Sequence, residues 1–551
     1  MKKKILIITI FVIALAIRLV KLDTVPIELF GDELDAGYQA YSILKTGKDI
    51  RGYKFPIYFH SLSESKAPVY LYTTVPFVAV FGLNEWGVRL PAVFFGMAGI
   101  LFIYLLAKEL FSDEKIATVS LLICSILPWH IQYSRAGLEE TLLMTLVTGG
   151  IYFFLKSFRR NSSLLLSVLF FGLSVYTYPT AVIFTPIIFL ILILIFRREI
   201  TLIKPKLIVS ALALLALGSI PFLMGISTGQ SQERFFKISI FSDQKSIDKI
   251  ILKRANSSVE ERIFHNKLTR FSSVFLENYL TTFSPQFLFL KGDPAPRHNS
   301  GQGQLLWSLT PFLIVGFYEI LKQLKDKKSR FLLLWLLSSP IASSLTSDGA
   351  THAGRLFIMI PPLVIMISLG LARILALPGL KGNFLKPVVV LAIPISFVFY
   401  LHQYYVHYPK ESWQYWQYGY KGAMTQLREV EGNYDRVILN NNHEPILLRL
   451  LFWGKVDPLW FRSNFSDDVA SSEILPGFDG FKVGKYYIGG LKDRKYLDSL
   501  LDEKTLYLAF QGDEIPGDWN WMEKPPAGIK VLSLTKNPLG DPYLYLLTGK
   551  K

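Results

Sequence analysis

The run Ala67-Pro68-Val69-Tyr70-Leu71-Tyr72-Thr73-Thr74-Val75-Pro76-Phe77-Val78-Ala79-Val80-Phe81 is apolar enough to count as a membrane span, and the whole topology after it depends on whether it is one. Counted as a span, it inverts every later segment and puts Lys325-Asp326-Lys327-Lys328 outside. Laid along the membrane surface, it leaves inward loops at 108–115, 156–160, 197–206, 322–330 and 380–386, and every one of them is basic, as the positive-inside rule requires. The run is therefore expected to be an interfacial helix, with Tyr70, Tyr72 and the nearby Trp86 in the headgroup zone. Spans are then expected near 4–20, 89–110, 116–134, 140–156, 163–178, 180–196, 207–225, 306–322, 331–347, 355–375 and 386–404, which is about eleven by the window rule.

Composition agrees with a polytopic α-helical membrane protein: 51% of the 551 residues are apolar and 14% aromatic, too much for an ordinary soluble chain with such long apolar runs. The net charge of +16 sits in short loops between those runs, where it sets orientation and meets anionic headgroups; it does not indicate nucleic acid. The single cysteine, Cys124, lies in an apolar run, so neither an internal disulfide nor a cysteine-based metal site is available. Residues 1–20 resemble a signal peptide, but no small-residue cleavage site precedes Arg18-Leu19-Val20-Lys21, and the segment reads as a retained span with the N-terminus cytoplasmic.

Three outward segments, 21–88, 226–305 and 405–551, are too long to be mere connectors. The first should hold a surface helix from Glu33 to Leu44, stopped by Gly47, and a second after Pro68. The Gly and Pro density of the second predicts a loop. In the third, Trp413, Tyr415, Trp416, Tyr418 and Tyr420 form an aromatic approach to alternating patterns that predict strands over 434–439, 485–488, 505–510, 529–534 and 543–547, with helices near 421–431, 443–454 and 495–502. The expected layout is a transmembrane domain over 1–404 carrying the first two outward loops, and an extracytoplasmic α/β domain over 405–551.

Ionisable groups parked against a bilayer are functional candidates by default. The first of them are Phe30-Gly31-Asp32-Glu33-Leu34-Asp35, just outside the first span, and Ser65-Lys66-Ala67-Pro68 at the end of the same loop. An Asp beside a cation is what a transferase needs to deprotonate an acceptor hydroxyl and neutralise a departing phosphate. Asp32 followed three residues later by Asp35 also resembles a helix N-cap, and the two readings are compatible, because a helix N-terminus keeps a carboxylate ionised. Glu33 can orient an acceptor, bind a cation or serve only as a first-turn residue. Lys66 is either a phosphate-binding ammonium or a lysine reaching to headgroups.

Tyr133-Ser134-Arg135-Ala136-Gly137-Leu138-Glu139-Glu140 should lie at the outer end of the third span, bringing Arg135, Glu139 and Glu140 to that face. Asp348-Gly349-Ala350-Thr351-His352-Ala353-Gly354-Arg355 and Arg297-His298-Asn299 complete the outward set. Arg135, Glu140, His298 and His352 are candidates to bind substrate, and Arg355 and Arg297 are candidates to hold a phosphate beside Lys66. No cofactor is certain from the sequence. His298 and His352 leave a divalent metal open, although they lack the His-x₃-His or Cys pairing of a strong site.

Taken together, the Asp32-Glu33 pair, the Lys-x-Pro at 66–68, the Asn84-Glu85-Trp86-Gly87-Val88-Arg89-Leu90-Pro91 junction and the Ser134-Arg135 to Glu139 segment resemble the glycosyltransferase C (GT-C) superfamily, nearest its family 39-like branch of protein O-mannosyltransferases and aminoarabinose transferases. The resemblance implies an integral-membrane, inverting glycosyltransferase that moves a sugar from a polyprenyl-phosphate donor to a lipid, glycan or protein hydroxyl on the outer face. It implies Asp32 as the catalytic Asp, Lys66 as the lysine of a Lys-Pro-Pro motif, and Glu139 in the place of a second acid. The chain departs from that pattern with Ala67 inside the motif, Ser65 where the aminoarabinose branch has an acid, and Glu rather than Asp at 139. A flippase or transporter of lipid-linked sugars would instead carry half-to-half similarity and charges near the midplane. A non-catalytic assembly scaffold would leave Asp32 dispensable.

Overall fold

The computed structural model describes residues 2–62, 64–229, 237–258, 261–466 and 472–550. The chain folds into two compact units, one of Met1–Val20, Ile57–Tyr70 and Arg89–Tyr405, the other of Lys21–Pro56, Leu71–Val88 and Val406–Lys551. The loop over 21–88, read from the sequence as part of the transmembrane domain, is thus shared between the units.

The first unit is helical, as a membrane domain must be when lipid offers no partner to backbone polar groups. Helices coincide with the expected spans, but several are shorter than the apolar run that predicted them. The run at 116–134 forms Glu114–Ile126 and then Pro128–Tyr133, because Pro128 has no N–H to continue the ladder. The run at 331–347 stops at Ser338 for the same reason, before Pro340. By length and composition, four helices among the described residues can cross a membrane: Glu85–Phe111, Pro205–Ser227, Phe357–Leu375 and Lys386–Glu411. Pro68–Phe81 is a helix of 14 residues, apolar but short for a span.

Packing is close where small residues permit it. A Cβ at Gly316 would lie 1.8 Å from the Met366 carbonyl, and one at Gly370 1.9 Å from that of Phe312, so Thr310–Lys322 and Ile360–Leu375 touch backbone to backbone. Pro205–Ser227, mean hydropathy 2.4, is by contrast almost wholly exposed, as a lipid-facing helix would be. Inside it Tyr176 repairs the ladder beside Pro221: the hydroxyl donates to Gly218 O at 2.5 Å and accepts from Phe222 N at 2.8 Å. The two-residue strands β1 (Phe59–His60) and β2 (Ser65–Lys66) pair antiparallel and lead into the Pro68 helix.

The segment 226–305, expected as a loop, is mainly helical where it is described. Asp243 caps Gln244–Ala255 and Asn266 caps Lys267–Thr281 with a reciprocal bond from Thr269. The Gly and Pro residues that suggested a loop flank these helices, whose starts the capping residues define.

In the second unit, β3 (Arg436–Asn440), β4 (Ser472–Leu475), β5 (Phe478–Val483), β6 (Tyr486–Leu491), β7 (Thr505–Phe510), β8 (Ile529–Lys536) and β9 (Pro542–Gly549) form a sheet of order β4-β5-β6-β3-β7-β9-β8. β6, β3 and β7 are parallel and the flanking pairs antiparallel. All five expected strands are present. β4 and β5 were missed because their charged, glycine-interrupted sequence hides the period of two, as was the short helix Pro458–Asn464. Both faces are covered: Leu497 and Leu500 pack on the Ile438, Tyr507 and Tyr545 side, while Gly419 and Gly422 bring Tyr420–Val430 against Leu544 and Thr535 on the other.

Candidate active site

In the first unit, three stretches far apart in sequence converge. Gly354 is the point of closest approach: a Cβ there would lie 2.5 Å from Glu140 Oε1, 3.1 Å from the Tyr133 hydroxyl and 3.3 Å from His352 Cε1. The His298 and His352 rings are 4.6 Å apart, and Tyr133 lies 6.1 Å from His298. Asp293, not among the residues picked from the sequence, ties the cluster together. Its Oδ2 meets His298 Nδ1 at 2.8 Å and accepts from Ala353 N at 2.8 Å, while Oδ1 accepts from Ala295 N at 2.8 Å. Burial works to raise the Asp293 carboxyl, but the His298 hydrogen bond and charge and the two backbone N–H groups outweigh it and hold the group below its ordinary value. Gln132 fixes the same loop by donating to Arg297 O at 2.7 Å. The signal for Asp293 was present in Gly292-Asp293-Pro294, a polar turn five residues before His298, but sequence spacing alone does not bring it to residue 353.

One carboxylate oxygen and one nitrogen from each imidazole lie within 4.8 Å of one another in Asp293, His298 and His352, a set that can hold a divalent metal. The Asp293–His298 contact is also the geometry by which a carboxylate orients an imidazole and leaves its other nitrogen to work.

Other candidates are placed differently. Arg135 is fully buried at the end of the first helix, donating to Ile17 O at 2.6 Å and Val20 O at 2.7 Å, with its guanidinium over Tyr404 and Tyr405. That is a helix C-cap, and it accounts for an arginine expected to touch substrate. Arg355, also buried, is bound by Asp348 and donates to Thr346 Oγ1 at 2.6 Å. Glu139 is the half-buried N-cap residue of Glu140–Ser157, and Lys66 is the last residue of β2.

Asp32 and Glu33 belong to the second unit. The helix they open, Gly31–Thr46, has Phe30 rather than Asp32 as its N-cap, and Glu33 reaches back to Phe30 N at 3.0 Å. Asp32 is therefore a first-turn residue whose side chain is not the cap, and Glu33 has a structural duty. Just ahead, buried Glu28 accepts from Gly419 N and Lys421 N, both at 2.8 Å. Gln417 Oε1 lies 3.9 Å from a Cβ position at Gly31 and accepts from the buried Arg449. The Asp32 turn is thus anchored on residues near 420.

Burial pushes the Glu28 carboxyl up to about 7, against the two backbone N–H bonds and the Arg449 charge. A carboxyl raised in the folded state binds a proton there that the unfolded chain releases, so its contribution to stability grows as pH falls from above 7 toward the ordinary carboxylate value. The apparent Tm of the wild type should therefore rise relative to Glu28→Gln between about pH 8 and about pH 5, by the equivalent of roughly 2 kcal/mol. Parallel pH profiles for the two proteins would show that Glu28 does not titrate in this window.

Residues 65–224, which contain Lys66, Arg135 and Glu139, match the family described as dolichyl-phosphate-mannose-protein mannosyltransferase. The fold is similar to that of ArnT from Cupriavidus metallidurans in the apo state, with a TM-score of 0.53 at 12% identity over 98% of this chain and 97% of that one. The match over 65–224 and the ArnT-like fold both point to a GT-C glycosyltransferase of the PMT/ArnT-like kind. The chain is also similar in fold to the Archaeoglobus fulgidus oligosaccharyltransferase, with a TM-score of 0.52 at 14% identity over 82% of this chain and 63% of that one. No curated protein sequence matches it. The apolar helices and the match over 65–224 support a multi-pass membrane glycosyltransferase.

Proposed function

We propose that the protein transfers a sugar, with inversion, from a polyprenyl-phosphate carrier to a hydroxyl of a lipid, glycan or protein acceptor on the outer face of the membrane. The observation that carries this reading is the family match over 65–224, which spans the Lys66 and Glu139 motifs. A lipid-phosphate donor is further supported by the ArnT structure bound to undecaprenyl phosphate, similar in fold at a TM-score of 0.53 and 13% identity. An apolar groove of about 380 Å³ in the first unit, lined by Phe171, Tyr176, Pro186, Phe189, Leu215 and Phe222, suits a polyprenyl tail.

In the reaction, Asp32 takes the proton of the acceptor hydroxyl. The acceptor oxygen bonds to the anomeric carbon as the bond from that carbon to the phosphate oxygen breaks, and the polyprenyl phosphate departs carrying both electrons of that bond. Lys66 and Arg297 are proposed to neutralise the departing phosphate; Arg355, bound to Asp348 and Thr346, acts at most through the shape of its loop. Glu139 and Glu140 are proposed to face the sugar hydroxyls. A divalent metal on Asp293, His298 and His352 would add positive charge for a phosphate, and no step of the transfer is assigned to it. Mass spectrometry of lipids and surface glycans from cells with and without the gene tests the reading. Loss of a single sugar from one class of molecule supports it, and unchanged glycans with an accumulated transport substrate would favour a transporter.

Orientation has its own test, with the buried Cys124 leaving the native chain silent. Cysteine at exposed Ser499 should react fully with a membrane-impermeant maleimide in spheroplasts, and cysteine at exposed Lys325 should react only after lysis. The reverse pattern would put the α/β domain inside and remove the case for an outer-face acceptor.

A further inference from the structure

The parallel core of the sheet in the second unit has a topological switch point. The chain leaves β3 through Ile446–Trp453, which packs on Tyr420–Val430 and so lies toward the face of Leu544 and Thr535. It leaves β6 through Leu497–Leu500, which packs on the opposite face with Ile438, Tyr507 and Tyr545. Where connections from neighbouring parallel strands depart to opposite faces, a crevice opens outside their carboxyl ends, and ligands of α/β sheets bind in such crevices. A cavity of about 350 Å³ occupies this position, lined by Asn441 and Asn442 after β3, Gly489, Gly490 and Lys492 at the end of β6, and Asp479 of β5.

Its chemistry narrows the ligand. Asn441 is fixed in place, donating its N–H to Gly489 O at 2.6 Å and accepting from Ile446 N at 2.8 Å. Asn442, exposed, lies over Gly490, where a Cβ would be 2.2 Å from its Oδ1, so glycine is what lets the amide stand in the crevice. Lys492, the cation of the lining, is bound to Glu473 and to Asp479 at 3.1 Å, and Asp513 and Glu514 stand nearby on Asn440. No excess positive charge is left for a phosphate or nucleotide, and the lining is too polar for an apolar ligand. With Asn441 Oδ1 held by Ile446 N and Asn442 Nδ2 donating to Asp513 Oδ2 at 3.3 Å, the Asn441 Nδ2 donor, the Asn442 Oδ1 acceptor and the Asp479 carboxylate suit the hydroxyls of a sugar.

We propose that this crevice is a binding site for a neutral saccharide, separate from the site of glycosyl transfer. It follows from the second unit alone and does not depend on the transfer reading.

The test uses the full-length protein in detergent, with maltotriose, cellotriose, mannotriose and triacetylchitotriose as probes and inorganic phosphate as the contrast. At least one trisaccharide should give ligand-observed saturation-transfer signals and slow amide exchange over 440–444 and 488–492 in the wild type. Its affinity should fall about tenfold in Asn442→Ala, which removes an exposed amide and leaves the fold's core untouched. Asp32→Asn, which targets transfer, should bind the sugar unchanged. Failure of all four sugars, binding of phosphate at 440–444 and 488–492 in their place, or sugar binding that is indifferent to Asn442→Ala would each overturn the proposal. Sugar binding lost in Asp32→Asn but kept in Asn442→Ala would do so too, because the sugar would then be occupying the transfer site.

Discussion

Asp32→Asn should abolish glycosyl transfer while leaving expression and thermal stability close to wild type. The amide keeps the shape of the side chain but cannot take a proton, and general-base catalysis contributes about 10² to 10⁴ in rate. The structure sharpens this expectation. Had Asp32 been the helix N-cap, its substitution would destabilise the protein and confound the assay; the cap position is Phe30, and the reciprocal bond is made by Glu33. What the substitution removes from the helix is a favourable charge in its first turn, on the order of 0.3–1 kcal/mol. The measurement is transfer by purified protein once mass spectrometry has named the donor, together with the melting curve. Retention of more than about a tenth of wild-type activity is too much for a lost general base, whose absence costs at least about a hundredfold, and would leave Asp32 as a helix-dipole residue.

Lys66 is the second position where a large effect is expected. If its ammonium holds the leaving phosphate, Lys66→Ala should slow turnover by about 10² to 10³, the range for losing one donor to a developing anion. Lys66→Arg should rescue poorly, because a broad planar guanidinium does not replace a compact ammonium at a fitted site. The backbone at Lys66 is held on both sides: Lys66 ends β2, paired with Phe59 of β1, and Pro68 fixes the start of the next helix two residues later. A lysine that only reached toward headgroups would accept arginine readily. Near-normal turnover of Lys66→Arg at saturating donor would therefore assign the phosphate to Arg297.

Much of the architecture was legible in the sequence, because hydropathy and capping are local. The helix from Gly31 to Gly47, the helix after Pro68 and all five expected strands of the sheet appear close to where their patterns put them. Local patterns failed where two signals conflicted. Gly and Pro around 226–305 pointed to a loop, while Asp243 and Asn266 in the same stretch start helices. Apolar runs at 116–134 and 331–347 also overstated helix length, since hydropathy does not register the missing N–H of Pro128 and Pro340.

The site divides along the same line. Candidate side chains can be selected from one sequence, and three of them, His298, His352 and Glu140, meet in one cluster. Charge placement alone does not reveal what each one touches. Arg135 looked like a substrate ligand and is a helix cap; Asp293 looked like part of a turn and bridges His298 to the backbone of Ala353, 60 residues away. The sequence by itself determined the apolar helices and the α/β character of the C-terminal region, since each is written in periods and runs a few residues long. The partners of Asp293, the order of the seven strands and the crevice between β3 and β6 were decided only by the tertiary structure, because contacts across long loops depend on which surfaces pack, and no local pattern encodes that choice.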